Sequence, residues 1–387
     1  MCSGPVKYRG KVLSKLLTAI DIKMLQALRD IGPRNLSKVA RITGISRKTL
    51  MLRIKRMQSD PQFFLRMHTS VYHTNLGLRK CVVFVEAEPG MERLLFDCLL
   101  INGFWIYVCR SYGRGEGCTA VYAIPTEHCM EFEEFIHEIK RLGVAKSAQI
   151  VWSTCFQSGR ITSEWFDDCQ ENWVFQWDNW IKEVQTQTTE LPYTLVDPET
   201  YCNYADETDV KMLELLEADA TTSMKEISKS LGISPQLARF HCQKHLIGKN
   251  LIEGYEIFVM RYGDPHYFMA YFTITFHNYE TFARFTRSLL NKFFAITLGK
   301  MYGENGLIVE VFLPHEEFRK VIDTLSKMAK MKLVRSYEYA IQDLRVRIRQ
   351  TIWPPLFKDN HWIYDHKNHL DALQQKVSEV LSKSGQS

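Results

Sequence analysis

Arg47, Lys48, Thr49, Arg53, Lys55 and Arg56 fall within ten positions of one another, directly after Ser46. Guanidinium and ammonium groups at this density suit a polyanion. On a helix, Leu50, Ile54 and Met57 would take one side and leave the basic side chains on the other. Residues near the start of such a helix, with Ser46 as its cap, reach base edges, and the later cations meet phosphates. The chemistry implied is recognition of duplex nucleic acid. Downstream, Phe63 to His73 is rich in strand formers and adds Arg66, His68 and His73. As a wing hairpin this run would touch the DNA backbone or minor groove; a plain connecting strand is the competing reading.

The charge distribution supports the nucleic-acid reading. Residues 1–80 carry 17 Lys and Arg against 3 Asp and Glu, a net +14, although the whole chain of 387 residues is only +5. The remainder is therefore acidic. A modest basic run ordinarily means a solvated surface, but this one is large and coincides with a motif, so double-stranded DNA is the expected partner. The length implies several domains. No apolar stretch of about 18 residues is present to span a bilayer, so no membrane partner is expected. Met1 to Lys15 lacks the apolar run and small-residue cleavage site of a secretory signal. Ten cysteines without a CxxC pair read as reduced thiols. A cytoplasmic location is the expectation.

The elements that must position the basic residues are short helices. Ile22, Leu25, Leu28 and Ile31 mark one helical face over 18–31, with Thr18 and Asp21 as a capping pair and Gly32-Pro33 as a stop. A second helix starts at Asn35, burying Leu36, Val39 and Ile42, and ends at Gly44. Helix, glycine turn and Ser-capped helix form the helix-turn-helix pattern. It recurs 188 positions later: Thr18 to Leu25 matches Asp206 to Leu213, and Gly44-Ile45-Ser46 matches Gly232-Ile233-Ser234. The second recognition helix differs, offering Gln236, Leu237, Arg239, Phe240 and Lys244. These residues suit either a second DNA contact or a protein contact, and residues 189–268 are net acidic, with 7 basic against 13 acidic side chains.

After each helical unit comes the order βαββαβ, over 80–152 and again over 267–341. The fold class is α+β, as two tandem units, each a winged helix-turn-helix followed by a ferredoxin-like module. The divisions fall at 1–78, 79–156, a connector and linker 157–204, then 205–265, 266–347, and an aromatic stretch with a C-terminal helix at 348–387. The hairpin corners match as well, Ser111-Tyr112-Gly113 against Met301-Tyr302-Gly303. A supported turn is the simpler reading of those glycines, and a ligand loop the sharper one.

A winged helix-turn-helix followed by βαββαβ, with a Gly-Ile-Ser turn and Leu251-Ile252-Glu253-Gly254-Tyr255 leading out of the second recognition helix, resembles the Lrp/AsnC family of prokaryotic transcription regulators. The resemblance implies DNA binding by the helix-turn-helix, dimerisation through the sheets, and sensing of amino acids or similar small molecules between them. It places Ser46, Arg47, Lys48, Thr49 and Arg53 on the recognition helix. It makes Tyr112, Gly113, Tyr302 and Gly303 candidates for a small-molecule effector site. The corners here read Gly113-Arg-Gly-Glu and Gly303-Glu-Asn-Gly, where the family usually has Gly-Asp-Tyr-Asp.

Trp165 and Asn172 recur as Trp353 and Asn360, so each aromatic stretch is expected to pack on its own unit. His361, His366 and His369 fit a solvated helix face better than a metal site, and no cofactor motif is present. The leading expectation is a sequence-specific transcription regulator, an intrachain pseudo-dimer or homo-oligomer. Two other readings compete. Siroheme decarboxylases resemble the same family in fold, act as paired non-identical units, and use basic and His residues on a tetrapyrrole carboxylate. An adaptor would bind a transcription-machinery partner through Leu237 and Phe240.

Overall fold

The computed structural model describes residues 17–59, 63–113, 115–159, 161–169, 172–261 and 267–384. The basic segment Met1–Lys15, Asp60-Pro61 and Arg114 lie outside them. Helices α1 (Ala19–Ile31), α2 (Leu36–Thr43) and α3 (Arg47–Ser59) come first. Thr18 and Asp21 form a reciprocal capping box on α1. Gly44 ends α2 at φ 70°, a left-handed turn that other residues strain to adopt. Leu25, Leu28, Val39, Leu50 and Met57 close a small core. Ile42 does not join it and is 58% exposed. The inward stripe of α2 runs through Leu36, Val39, Ala40 and Thr43, at i, i+3, i+4 and i+7, and Ile42 falls off that stripe.

The chain continues through β1 (Phe63–Val71), β2 (Leu78–Ala87), α4 (Glu92–Leu99), β3 (Trp105–Tyr112), β4 (Glu116–Pro125), α5 (Cys129–Arg141) and β5 (Ala145–Ser153). Short strands β6 (Gln157–Ser158), β7 (Phe166–Asp167) and β8 (Asn172–Trp173) lead to α6 (Trp177–Thr186). Helices α7 (Glu207–Ala218), α8 (Met224–Leu231) and α9 (Pro235–Phe240) repeat the three-helix order, and α9 runs into a π-helical turn, His241–Ile247. Then come β9 (Ile252–Arg261), β10 (Tyr267–Thr275), α10 (Tyr279–Leu289), β11 (Ala295–Lys300), β12 (Gly306–Pro314), α11 (His315–Lys330) and β13 (Ser336–Arg349). A small hairpin, β14 (Phe357–Lys358) and β15 (His361–Trp362), precedes α12 (His366–Ser384).

Two pairings organise these elements. First, β1 is not half of a local hairpin but pairs antiparallel with β9 along its length. The expected wing is corrected to a ribbon shared by both halves of the chain. Alternate side chains explain why: Leu65 and Met67 are drawn into the core of the first helical unit, and the chain passes from Val71 to β2 through only a short 3-10 turn. Second, one nine-stranded sheet has the order β5-β2-β4-β3-β13-β10-β12-β11-β6. β13 extends well past its predicted end at Ile341, and the extension pairs with β3. At the other end β6, which continues the chain from β5, pairs with β11, while Ser153 bridges Met301. The first strand in the order and the last are thus one stretch of chain, and the sheet closes on itself.

The aromatic stretches pack tightly, but crosswise. Helix α6 lies on α10 and α11 of the second sheet half, where Trp177 Nε1 donates to Glu317 (2.7 Å) and Trp180 Nε1 to Ser288 Oγ (2.8 Å). Helix α12 lies on α5 and α4 of the first, and Trp362 Nε1 donates to the Leu76 carbonyl at 2.7 Å. The expectation that each stretch covers its own unit is corrected. β13 runs out along the first sheet half, so whatever follows it lands there. Among the described residues no helix is long and apolar enough to cross a membrane.

Trp180 is 2% exposed. Trp180→Ala should cost about 3–5 kcal/mol in urea unfolding, the usual cost of emptying a buried aromatic site; a loss below about 1 kcal/mol would remove the connector helix from the core.

Candidate nucleic-acid interface and central cavity

The start of α3 is set locally. Ser46 Oγ accepts the Thr49 backbone N–H at 3.1 Å, which leaves the following turn facing outward. Arg47, Lys48, Thr49, Lys55 and Arg56 are all exposed, beside exposed Met51 and Leu52. Arg53 is different. Its guanidinium lies 2.6 Å from Asp21 Oδ1 and 3.2 Å from Thr18 Oγ1, and Arg56 reaches the other Asp21 oxygen at 3.5 Å. Asp21 is completely buried, so Arg53, the nearer of its two guanidinium partners, supplies most of the neutralising charge and clamps α3 to the start of α1. Its place is in positioning the helix.

Arg66 leaves this face too: β1 places it, still exposed, at the border of a half-open cavity against the sheet. His68 and His73 are buried, with Nδ1 atoms 2.7 Å from the Glu217 carbonyl and 2.9 Å from the Val71 carbonyl. Burial lowers both pKa values, His73's well below the usual imidazole range. Neither is a DNA-facing cation. On the second unit Gln236, Leu237, Arg239, Phe240 and Lys244 are exposed, with Leu237 and Phe240 forming an apolar surface.

The hairpin corners occupy separate junctions and do not converge. Tyr112 pairs with Ile341 across the β3–β13 seam and donates to Asp343 at 3.3 Å. Gly113 borders a pocket of about 390 Å³ with Glu86, Gln149 and Tyr339. Tyr302 donates its N–H to the Trp152 carbonyl at 2.9 Å and lies under the Arg79 guanidinium, 4.2 Å from the ring centre. Gly303 N–H meets Asp197 at 3.3 Å, and Lys300 Nζ meets the same carboxylate at 2.7 Å. One corner is therefore filled by the chain's own carboxylate. His366 pairs with Glu134 at 3.0 Å, while His369 is buried with its pKa lowered by burial to about 4.

The central cavity, absent from the sequence expectations, measures about 480 Å³ between the β1–β9 ribbon and the sheet. Arg66, Lys80, Arg347 and Arg349 line it with Glu217, Glu256, Glu310, Tyr107 and Tyr271. Arg349 lies 3.5 Å from Glu256, while Arg347 and Lys80 have no ion-pair partner among the described residues. Burial pushes the Glu310 carboxyl up to about 7, against the hydrogen bond that Gln342 donates to it at 2.8 Å. Burial also raises the Tyr107 and Tyr271 hydroxyls, keeping them protonated donors. The Tyr107 hydroxyl is spent on Gln342 Oε1 at 2.5 Å, which leaves Lys80, Arg347 and the Tyr271 hydroxyl as the groups of this half-open space that can hold an anion. The signal in the sequence was the alternation Arg345, Arg347, Arg349, which puts 347 and 349 on one strand face.

A family model for the AsnC-type helix-turn-helix domain matches residues 206–239, spanning α7, α8 and all of α9 but its last residue. The chain carries an AsnC-type helix-turn-helix. No curated protein matches the chain by sequence. Among solved structures, the siroheme decarboxylase NirDL is similar along nearly the whole length. The match has TM-score 0.53 and 9% identity, and covers 92% of this chain and 98% of that one, both alone and with an iron-uroporphyrin III analogue. At that identity the likeness is one of fold. A Pyrococcus furiosus AsnC-family regulatory protein matches 35% of this chain and 88% of its own, at 18% identity and TM-score 0.28.

Two outcomes check this geometry. Arg53→Ala should destabilise the fold by roughly 1–3 kcal/mol, because it leaves the buried Asp21 with only the longer Arg56 ion pair, whereas Lys48→Ala should be near neutral; equal effects in thermal unfolding would contradict the inward placement of Arg53. Glu310 has a folded pKa raised from 4.5 to about 7. Its burden on stability is absent below pH 4.5, grows as pH rises toward 7, and is constant above. Glu310→Gln should thus match the parent at pH 4.5 and exceed it at pH 8 by up to roughly 2–3 kcal/mol, and parallel urea-unfolding profiles would refute the raised value.

Proposed function

We propose that this protein is a DNA-binding transcription regulator of Lrp/AsnC type, in which two tandem units in one chain supply what relatives of that kind build from two subunits. The observation that carries the reading is the outward face of α3, where Arg47, Lys48, Thr49, Lys55 and Arg56 stand exposed on a Ser-capped helix. The AsnC-type match at 206–239 supports it from the other unit. Arg47 and Thr49, in the first turn, are the base-edge contacts, and Lys48, Lys55 and Arg56 the phosphate contacts. Removing a phosphate contact weakens binding to all sequences alike and lowers the salt dependence.

The cavity favours a second reading. Its unpaired Lys80 and Arg347, together with the likeness along the chain to a siroheme decarboxylase, support an enzyme acting on a tetrapyrrole carboxylate. Glu217, Glu256 and Glu310 weigh against a polycarboxylate in that space, which is why the regulator is preferred. An exposed basic helix also has no part in such chemistry.

Lys48→Ala with Lys55→Ala should reduce duplex binding at every salt concentration and lower the slope of log affinity against log salt by about 0.9 per lost contact. Unchanged affinity and slope would sink the regulator. Incubation with siroheme, followed by absorption spectroscopy, should leave the spectrum unaltered; loss of carboxylate carbons from the product would establish the enzyme instead.

A further inference from the structure

In the first unit the buried Asp21 carboxylate is held by Arg53 and Arg56. At the matching place in the second unit, 188 positions on, Asp209 is equally buried but faces two imidazoles. His241 Nδ1 lies 2.7 Å from Asp209 Oδ1, and His245 Nδ1 lies 2.9 Å from Asp209 Oδ2. Asp206 Oδ2 stands 3.9 Å from the first imidazole nitrogen and 3.5 Å from the second. One ligating atom from each of the four residues falls within 4.8 Å of all the others. A tetrahedral ion with bonds of 2.0–2.1 Å sets its donor atoms about 3.4 Å apart. The observed separations bracket that value.

The difference between the two units is one of donor chemistry. Guanidinium carries only N–H donors, so the Arg53 pair can balance Asp21 but cannot share a metal with it. Imidazole brings a lone pair. Two changes in the backbone and its bonds serve the cluster. The π-helical turn His241–Ile247 replaces regular α-helix at this point, a distortion that is rare and frequently functional, and it holds the two rings with centroids 4.6 Å apart. The capping box fixes both carboxylates through backbone N–H bonds of 2.9 Å to Asp206 Oδ1 and 3.2 Å to Asp209 Oδ2; Asp209 Oδ1, which takes no cap bond, lies 2.7 and 3.1 Å from the His241 and His245 Nδ1 atoms. Hydrogen bonds of this kind orient metal ligands. The Phe240 ring, with centroid distances of 5.4 and 6.0 Å to the two imidazoles, lends an apolar wall.

We propose that Asp206, Asp209, His241 and His245 bind a divalent transition metal of the zinc class, joining the start of α7 to the π turn and so fixing the second recognition helix. Two carboxylates balance the charge of the ion, and two imidazoles with two oxygens suit zinc, cobalt or nickel better than calcium or magnesium. The site is independent of whether that helix meets DNA or a protein.

The test uses the full, untagged chain, stripped with a chelator and titrated with Co²⁺ as the probe. The expected result is one tightly bound Co²⁺ per chain, with the visible d–d bands of a four-coordinate site, displaced by Zn²⁺. His245→Gln and Asp206→Asn should each weaken Co²⁺ binding by at least about tenfold, while His361→Gln should leave it unchanged. Asparagine is itself a good helix cap, so Asp206→Asn keeps the fold while removing a ligand. Zn²⁺ should also raise the thermal midpoint of the parent chain but not of these variants. Failure of the parent chain to bind Co²⁺, or binding that survives both substitutions, would overturn the proposal.

Discussion

Backbone hydrogen bonding between the two halves of the chain is the constraint on which everything else rests. A four-stranded βαββαβ sheet has two open edges, and open edges invite foreign strands. Here β3 is covered by β13, β11 by β6, and β1 by β9, all from the same polypeptide. The central cavity exists because these seams hold a two-stranded ribbon over the sheet. The crossed packing of α6 and α12 follows from the same seams, since the chain leaves each sheet half along the edge of the other.

On this shared frame the halves have been equipped differently. Helix α3 presents cations, whereas α9 presents leucine, phenylalanine and glutamine. Beneath the surface the same aspartate is met by arginine in one unit and by histidines in the other. Helix caps and turn glycines occur in both, because each three-helix unit needs them to form, whereas the chemistry carried on them differs.

What the sequence made legible was local. The capping boxes at Thr18/Asp21 and Asp206/Asp209 are present, because a cap depends on residues three positions apart. The strand and helix order of both βαββαβ stretches was readable from periodicity for the same reason. Choice of partner was not readable. Nothing in Phe63–Val71 names Ile252–Arg261 as its mate, and a wing hairpin is the nearer solution in sequence. Arg53 looked like its neighbours on the helix, since its inward turn depends on a carboxylate 32 residues away. The cavity was invisible because five separate strands and a helix contribute its charges.

The carboxylate of Asp197, seated on Lys300 and the Gly303 amide, gives the second hairpin corner an occupant that can never diffuse away. A tethered group of this kind competes as though present at about millimolar concentration. Any free carboxylate of ordinary affinity would lose that contest at this corner, so the matching glycine turns of the two halves are not equivalent toward such solutes.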